Sequence, residues 1–336
     1  MRTKKIVNIT IKIMLPLVLG GGILYWMYRD FAFDAIEHIL FHEMDWTWML
    51  LSLPFGILAQ AFRGWRWKQS LEPIGEQPRN SVCVNAVFMS YASSLVVPRV
   101  GEFARCGILG RYDGVSFPKA LGTVLTERIV DTLIVLFITL FAFATQIGIF
   151  NNFFSTTGTR IDTALAMFSA TGWVVTFICG ISACFSFYLI FKKLAVYERI
   201  KSTLSGMWQG VSSLRRVKSM PLFLFYSFAI WGSYFLHFYL TFFCFDATAS
   251  LGATCALLCF VVGSIAVIVP TPNGAGPWHF AVKTMLILYG VTDEKALYFV
   301  LIVHTIQTLL VVLLGIYAGL SLAFTKPKNH QLQATL

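Results

Sequence analysis

The chain has 336 residues, 57% of them hydrophobic and 12% charged, with a mean hydropathy of +0.71 and a formal net charge of +10. Soluble domains carry roughly 25% charged residues, so the composition excludes an ordinary water-soluble enzyme. No polar stretch is long enough for a separate aqueous domain of roughly 100 residues, which confines function to membrane-embedded side chains and short loops.

Taken in chain order, "MRTKKI" precedes an apolar run with no small-x-small cleavage site after it, so the run is expected to stay as a first membrane helix. A span needs roughly 20 apolar residues. Six segments meet this in the sequence: 6–28, 46–68, 118–148, 164–191, 221–245 and 294–324. Two further apolar segments are interrupted, 81–113 at "VPRVGE" and 250–290 at "VPTPNGAGP". Pro and Gly inside a greasy segment mark a re-entrant hairpin or a broken helix. Residues 197–218 show helical spacing of Tyr197, Ile200, Leu204, Val211 and Leu214, with Arg199, Lys201, Arg215, Arg216 and Lys218 beside them. That pattern suits a basic interfacial helix or a linker helix packed on the protein.

The expected fold is an all-α polytopic membrane protein with about six full transmembrane helices and two re-entrant or broken hairpins in an inverted repeat. Residues 1–336 form one integral membrane domain. It divides into 1–78 (two helices), 79–148 (first repeat unit), 149–249 (two helices and the basic helix) and 250–325 (second repeat unit). Placing both termini in the cytoplasm puts most of the 26 cations on that face, as positive-inside orientation requires. The expected location is therefore the inner (cytoplasmic) membrane. The cations are dispersed over short loops, which argues against a nucleic-acid partner. In this orientation the two broken segments enter from opposite sides. "GVSFPKALGTVLTERIVDTLIVLF" from Gly114 and "GVTDEKALYFVLIVHTIQTLLVVL" from Gly290 also align without a gap, placing His304 opposite Arg128 and Gln307 opposite Asp131.

Arg99, Glu102 and Arg105 lie in the first break, and "TERIVD" adds Glu127, Arg128 and Asp131 on the next span. An isolated charge at such depth costs roughly 2.5–3.5 kcal/mol, so these six are expected to pair as an ionic cluster at the hairpin tip. Such a cluster serves as a salt-bridge lock or as a polar headgroup site. Arg99 is the foremost candidate for a phosphate contact, since guanidinium binds oxygen pairs bidentately. Arg128 and Asp131, three apart, are expected to pair. In the second break Asn273, Gly274 and Gly276 permit close backbone approach at a helix start, and His279 and Lys283 follow four apart, a possible anion site.

The 7 cysteines are odd in number and have no zinc spacing. His38 and His42 lie four apart between Glu37 and Glu43, but no third ligand is evident, so no metal and no cofactor is expected. No nucleophile constellation or nucleotide loop occurs, so no catalytic residue is expected.

"VPRVGEFARCGIL", "TERIVD" and "PTPNGAG" resemble the lysylphosphatidylglycerol synthase transmembrane-domain family, also described as flippase-like. Its pattern is P-x-R-x-G-E-x-x-R, E-R-x-x-D and P-x-P-G-G-x-G with a Glu three residues on. Pro98, Arg99, Gly101, Glu102, Arg105, Glu127, Arg128 and Asp131 match, as do Pro270, Pro272, Gly274 and Gly276. Asn273 replaces a Gly, and His279 stands where the Glu falls. The resemblance covers roughly residues 80 to 325 and lacks the cytosolic aminoacyl-transfer domain of two-domain members. It implies a stand-alone flippase-type transporter that moves or binds an anionic phospholipid, such as phosphatidylglycerol, or a polyprenyl-phosphate-linked lipid of the cell envelope. Membrane lipids with anionic headgroups are the expected partners. The alternative is a non-transporting lipid-binding partner of an envelope-lipid or glycolipid synthesis enzyme, docked through the basic helix.

Overall fold

The computed structural model describes residues 21–29, 34–145, 208, 216–269 and 271–328. The expected span 164–191, nearly all of the basic helix 197–218, most of the first span and Pro270 lie outside these residues. Among the described residues the protein is all-helical, with no strand.

Residues 21–28 form α1, and a short α2 (Asp34–His38) runs into a π-turn at Ile39–Glu43. The major helices are then α3 (Trp46–Leu71), α4 (Asn80–Val96), α5 (Gly101–Asp113), α6 (Phe117–Thr145) and α7 (Met220–Tyr239). After a short α8 (Asp246–Ala249) come α9 (Gly252–Ala266), α10 (Pro277–Leu288) and α11 (Asp293–Ala323). Among the described residues three stretches are long and apolar enough to cross a membrane: α6, Met220–Cys244 and α11. α3 has the length, at 26 residues, but carries Arg63, Arg66 and Lys68 in its second half and does not reach that apolarity.

The two broken segments fold as helical hairpins. α4 and α5, of 17 and 13 residues, are joined through 97–100. α9 and α10, of 15 and 12 residues, are joined through the turn Pro272–Gly274. At a rise of about 1.5 Å per residue none of these four arms crosses a hydrocarbon core of about 30 Å alone. Local chemistry explains the breaks. Gly101 lets α5 start tightly against α4, because a Cβ there would overlap the Ser90 carbonyl oxygen. Gly276, at φ 91, turns the chain into α10, and Pro277 begins the helix where no backbone donor is needed.

The hairpin bases lie at opposite ends of α11. At the first base, Arg79 uses its backbone N–H and Nε to bind Asp113, and donates through Nη2 to Tyr112 O and through Nη1 to Lys326 O. Lys119 pairs with Glu76 at 3.0 Å at the same end. The second base adjoins the start of α11, where Lys283 of α10 pairs with Asp293 at 2.8 Å. Each hairpin's first arm packs on the long helix that follows the other hairpin: α4 against α11, and α9 against α6. One apolar core gathers α9, α10 and α11 with Phe238 and Phe242; another gathers Trp67 and Leu71 with α4, α5 and the start of α6.

Candidate functional site

The first constellation is built where α3, α5, α6 and α7 converge. Glu127 and Asp131, four apart, share a face of α6, and Arg63 and Arg66, three apart, share a face of α3. Arg66 stands at the centre. Its Nη2 donates to Asp131 Oδ1 at 2.7 Å and its Nη1 to Ser227 Oγ at 3.1 Å, while Nε lies 3.4 Å from Glu127 Oε1. Arg63 Nη1 donates to Asp131 Oδ2. Arg105 Nη1 donates to Glu127 Oε2 at 2.9 Å, and its guanidinium lies 4.6 Å over the Trp67 ring. None of these five charged residues is more than 4% exposed. All four carboxylate oxygens have a guanidinium partner. The acids are therefore occupied with holding four helices together and have no free oxygen for a ligand.

The rim of this cluster is open. Arg128 Nε lies 3.3 Å from Glu102 Oε1, and its Nη2 lies 3.6 Å from Asp131; the Arg128 and Glu102 side chains are 42% and 37% exposed. Arg99 is exposed, takes a left-handed backbone at φ 64, and donates from Nη2 to the Ile268 carbonyl oxygen at 2.8 Å. This bond joins the tip region of one hairpin to that of the other. Val96 and Ile268 beside it are 71% and 66% exposed, so the charges sit beside exposed apolar side chains.

The second constellation belongs to the α9–α10 turn. Asn273, at φ 51, donates from Nδ2 to Thr308 Oγ1 at 2.7 Å. His304 Nε2 lies 3.1 Å from Asn273 O and its Nδ1 3.4 Å from Thr308 Oγ1. The His279 ring lies 4.4 Å from that of His304, centroid to centroid, and His279 Nδ1 accepts from Gly276 N–H at 3.4 Å. Asn273, His279, His304 and Thr308 border an open pocket of about 700 Å³ that is also lined by Leu24, Tyr25, Tyr28, Leu95 and Leu301.

The sequence matches the family described as the lysylphosphatidylglycerol synthase TM region over residues 13–315. The chain belongs to that family. The match takes in both hairpins and both constellations. Searches of curated proteins and of solved structures each gave no match.

In this family member, the residues expected in one cluster fall in different places. Arg105, Glu127 and Asp131 are buried together, and Arg128 and Glu102 form its rim. Arg128 lies nearer Glu102 than Asp131, although spacing alone favours the second. Arg99 stands apart, bonded to Ile268. Asn273, Gly274, Gly276 and His279 make the second turn, but Lys283 is turned to Asp293 at the hairpin base and does not border the cavity. Its four-residue spacing from His279 fits one helix face, but the acidic start of α11 captures it. Arg63 and Arg66, near the end of the expected span 46–68, go by their position in the sequence with the cations of the cytoplasmic face. Both are instead buried in α3, because two acids on α6 face them. Their three-residue spacing inside "FRGWRW" was the available signal. His38 and His42 have ring centroids 5.0 Å apart, and His38 pairs with Glu43 at 3.2 Å. Among the described residues no three His, Cys, Asp or Glu side chains converge as a metal requires.

Proposed function

We propose that this protein is a flippase-type transporter of an anionic phospholipid or a polyprenyl-phosphate-linked lipid in the inner membrane, with both termini cytoplasmic and no catalytic step of its own. The observation that carries the reading is the meeting of the two hairpins. Their bases lie at opposite ends of α11, their tips are joined by Arg99 and the Ile268 carbonyl, and a cavity lies beside the join. We read the two units as an inverted repeat, on the strength of the reciprocal packing and the alignment of Gly114 onward with Gly290 onward. In transporters built this way, substrate sits near the midplane between the repeats. The charged rim of Arg99, Glu102 and Arg128 would receive a phosphate headgroup while the lipid tails stay on the exposed apolar patch. The buried cluster would keep the first hairpin rigid against this movement. The family's name supports a lipid as the cargo.

The test is transport. Full-length protein in vesicles containing headgroup-labelled phosphatidylglycerol should expose inner-leaflet label to an external quencher faster than protein-free vesicles do. An undecaprenyl-phosphate analogue serves as the second cargo, and a proton or sodium gradient is imposed in each case. No acceleration for either lipid under any gradient would defeat the reading. For the orientation, cysteines introduced near Lys328 should resist an impermeant reagent added outside, and cysteines near Asp293 should react.

A further inference from the structure

The cavity beside the second hairpin has a chemistry that narrows its occupant. At about 700 Å³ it is within the range of about 300–1,000 Å³ typical of small-molecule sites. Its described lining is mostly apolar: Leu24, Leu95, Leu301, Pro272, Ala275 and the rings of Tyr25 and Tyr28. The polar groups are few, and most are committed to each other. His304 is held between the Asn273 carbonyl and the Thr308 hydroxyl, and the Asn273 amide is spent on Thr308. His279 differs. It is only 3% exposed, and its Nδ1 accepts the Gly276 N–H, so Nε2 carries the proton. No described residue bonds Nε2. The cavity therefore has two buried residues with donor groups on its mostly apolar lining, His279 and Tyr28 with its hydroxyl, and the exposed Thr305 hydroxyl and Arg29 lie there too. Among the described lining residues there is no carboxylate.

A buried donor without a partner costs free energy until an acceptor arrives. A mostly apolar pocket with few donors and the His279 Nε2–H among them suits a lipid chain that ends in an acceptor oxygen. It does not suit an ammonium group, which needs a counter-charge when it leaves water. We infer that the cavity binds a glycerophospholipid by its acyl chain and an ester or phosphate oxygen accepted by His279 Nε2–H, and that it discriminates against the lysyl-modified form of the same lipid. This selection runs opposite to the cargo suggested by the family's name. The inference rests on the lipid-handling reading above and names its substrate class.

Native mass spectrometry of the full chain, with phosphatidylglycerol and lysylphosphatidylglycerol offered in equal amounts, tests it. Wild type should retain phosphatidylglycerol in excess. His279→Ala should weaken that retention by roughly threefold to tenfold, the value of one hydrogen bond. His279→Gln keeps a donor and should lose less. His279→Glu should shift the preference toward the lysyl form. Thermal unfolding of each variant checks that it folds, and the wild-type competition needs no variant at all. Equal or greater retention of the lysyl lipid by wild type would overturn the inference, as would unchanged phosphatidylglycerol retention in a folded His279→Ala. Retention that depends on His279, in a protein that moves no lipid, would defeat the transport reading and leave this one standing.

Discussion

The two hairpins solve the same problem with different chemistry. Each is too short to span alone, and each is braced by the long helix that follows it. The first is braced by charge, with Glu127 and Asp131 on α6 held by guanidinium groups from α3 and α5, all out of solvent. The second is braced at the matching height of α11 by neutral groups: His304 and Thr308 bind the backbone and side chain of Asn273. A buried ion pair resists disruption because removing one partner strands the other, whereas a neutral hydrogen bond forfeits much less. The first hairpin is thus built as a fixed wall. The second, with a cavity at its turn and weaker bonds to its brace, is the more easily displaced side.

The largest expected effect comes from the charged brace. Glu127→Ala leaves Arg66 and Arg105 without a shared acid and should destabilise by about 3–5 kcal/mol, seen as a large fall in the thermal midpoint of purified protein. Removing the matching neutral group, His304→Ala, should cost about 1–3 kcal/mol. Equal losses in the two variants would erase the distinction between the hairpins. Next is Gly101→Ala. The added methyl meets the Ser90 carbonyl, so the arms of the first hairpin must separate, at about 1–3 kcal/mol.

Smaller changes sharpen the division between wall and rim. Arg128→Ala breaks a half-exposed pair with Glu102 and should cost at most about 1 kcal/mol of stability. Lipid movement in vesicles should nevertheless fall several-fold. A folded Arg128→Ala that transports at the wild-type rate would return the rim to a structural role. The smallest effect concerns backbone strain. Arg99 is a non-glycine residue at φ 64, so Arg99→Gly should be more stable than Arg99→Ala by about 1 kcal/mol in parallel thermal melts, since both lose the bond to Ile268.

Much of this architecture was legible in the sequence because breakers and charges are rare in lipid. "VPRVGE" and "PTPNGAGP" located both hairpin turns, and the i, i+4 spacing of Glu127 and Asp131 gave their common face. The partners of those acids were harder to see. Arg63 and Arg66 lie more than 60 residues upstream, and near a helix end they read equally well as orientation signals, so only the packing of α3 on α6 reveals their role. Lys283 misled for the converse reason. Its spacing from His279 is a local fact, but Asp293, brought alongside by the start of α11, decides where its charge goes. The span 46–68 has the right length, yet the same buried arginines keep α3 below the apolarity of a simple lipid-facing helix.

The central claim is that a headgroup passes between the two tips, and tethering the tips tests it most directly. Arg99→Cys with Ile268→Cys places one reactive thiol on each, while the five described native cysteines are buried. A short bis-maleimide should then bridge the tips, confirmed by intact mass, and either single variant treated alike controls for the reagent. The account predicts that bridged protein in vesicles moves labelled phosphatidylglycerol no faster than protein-free vesicles, while treated single variants still move it. Transport at the full rate through bridged tips would contradict it.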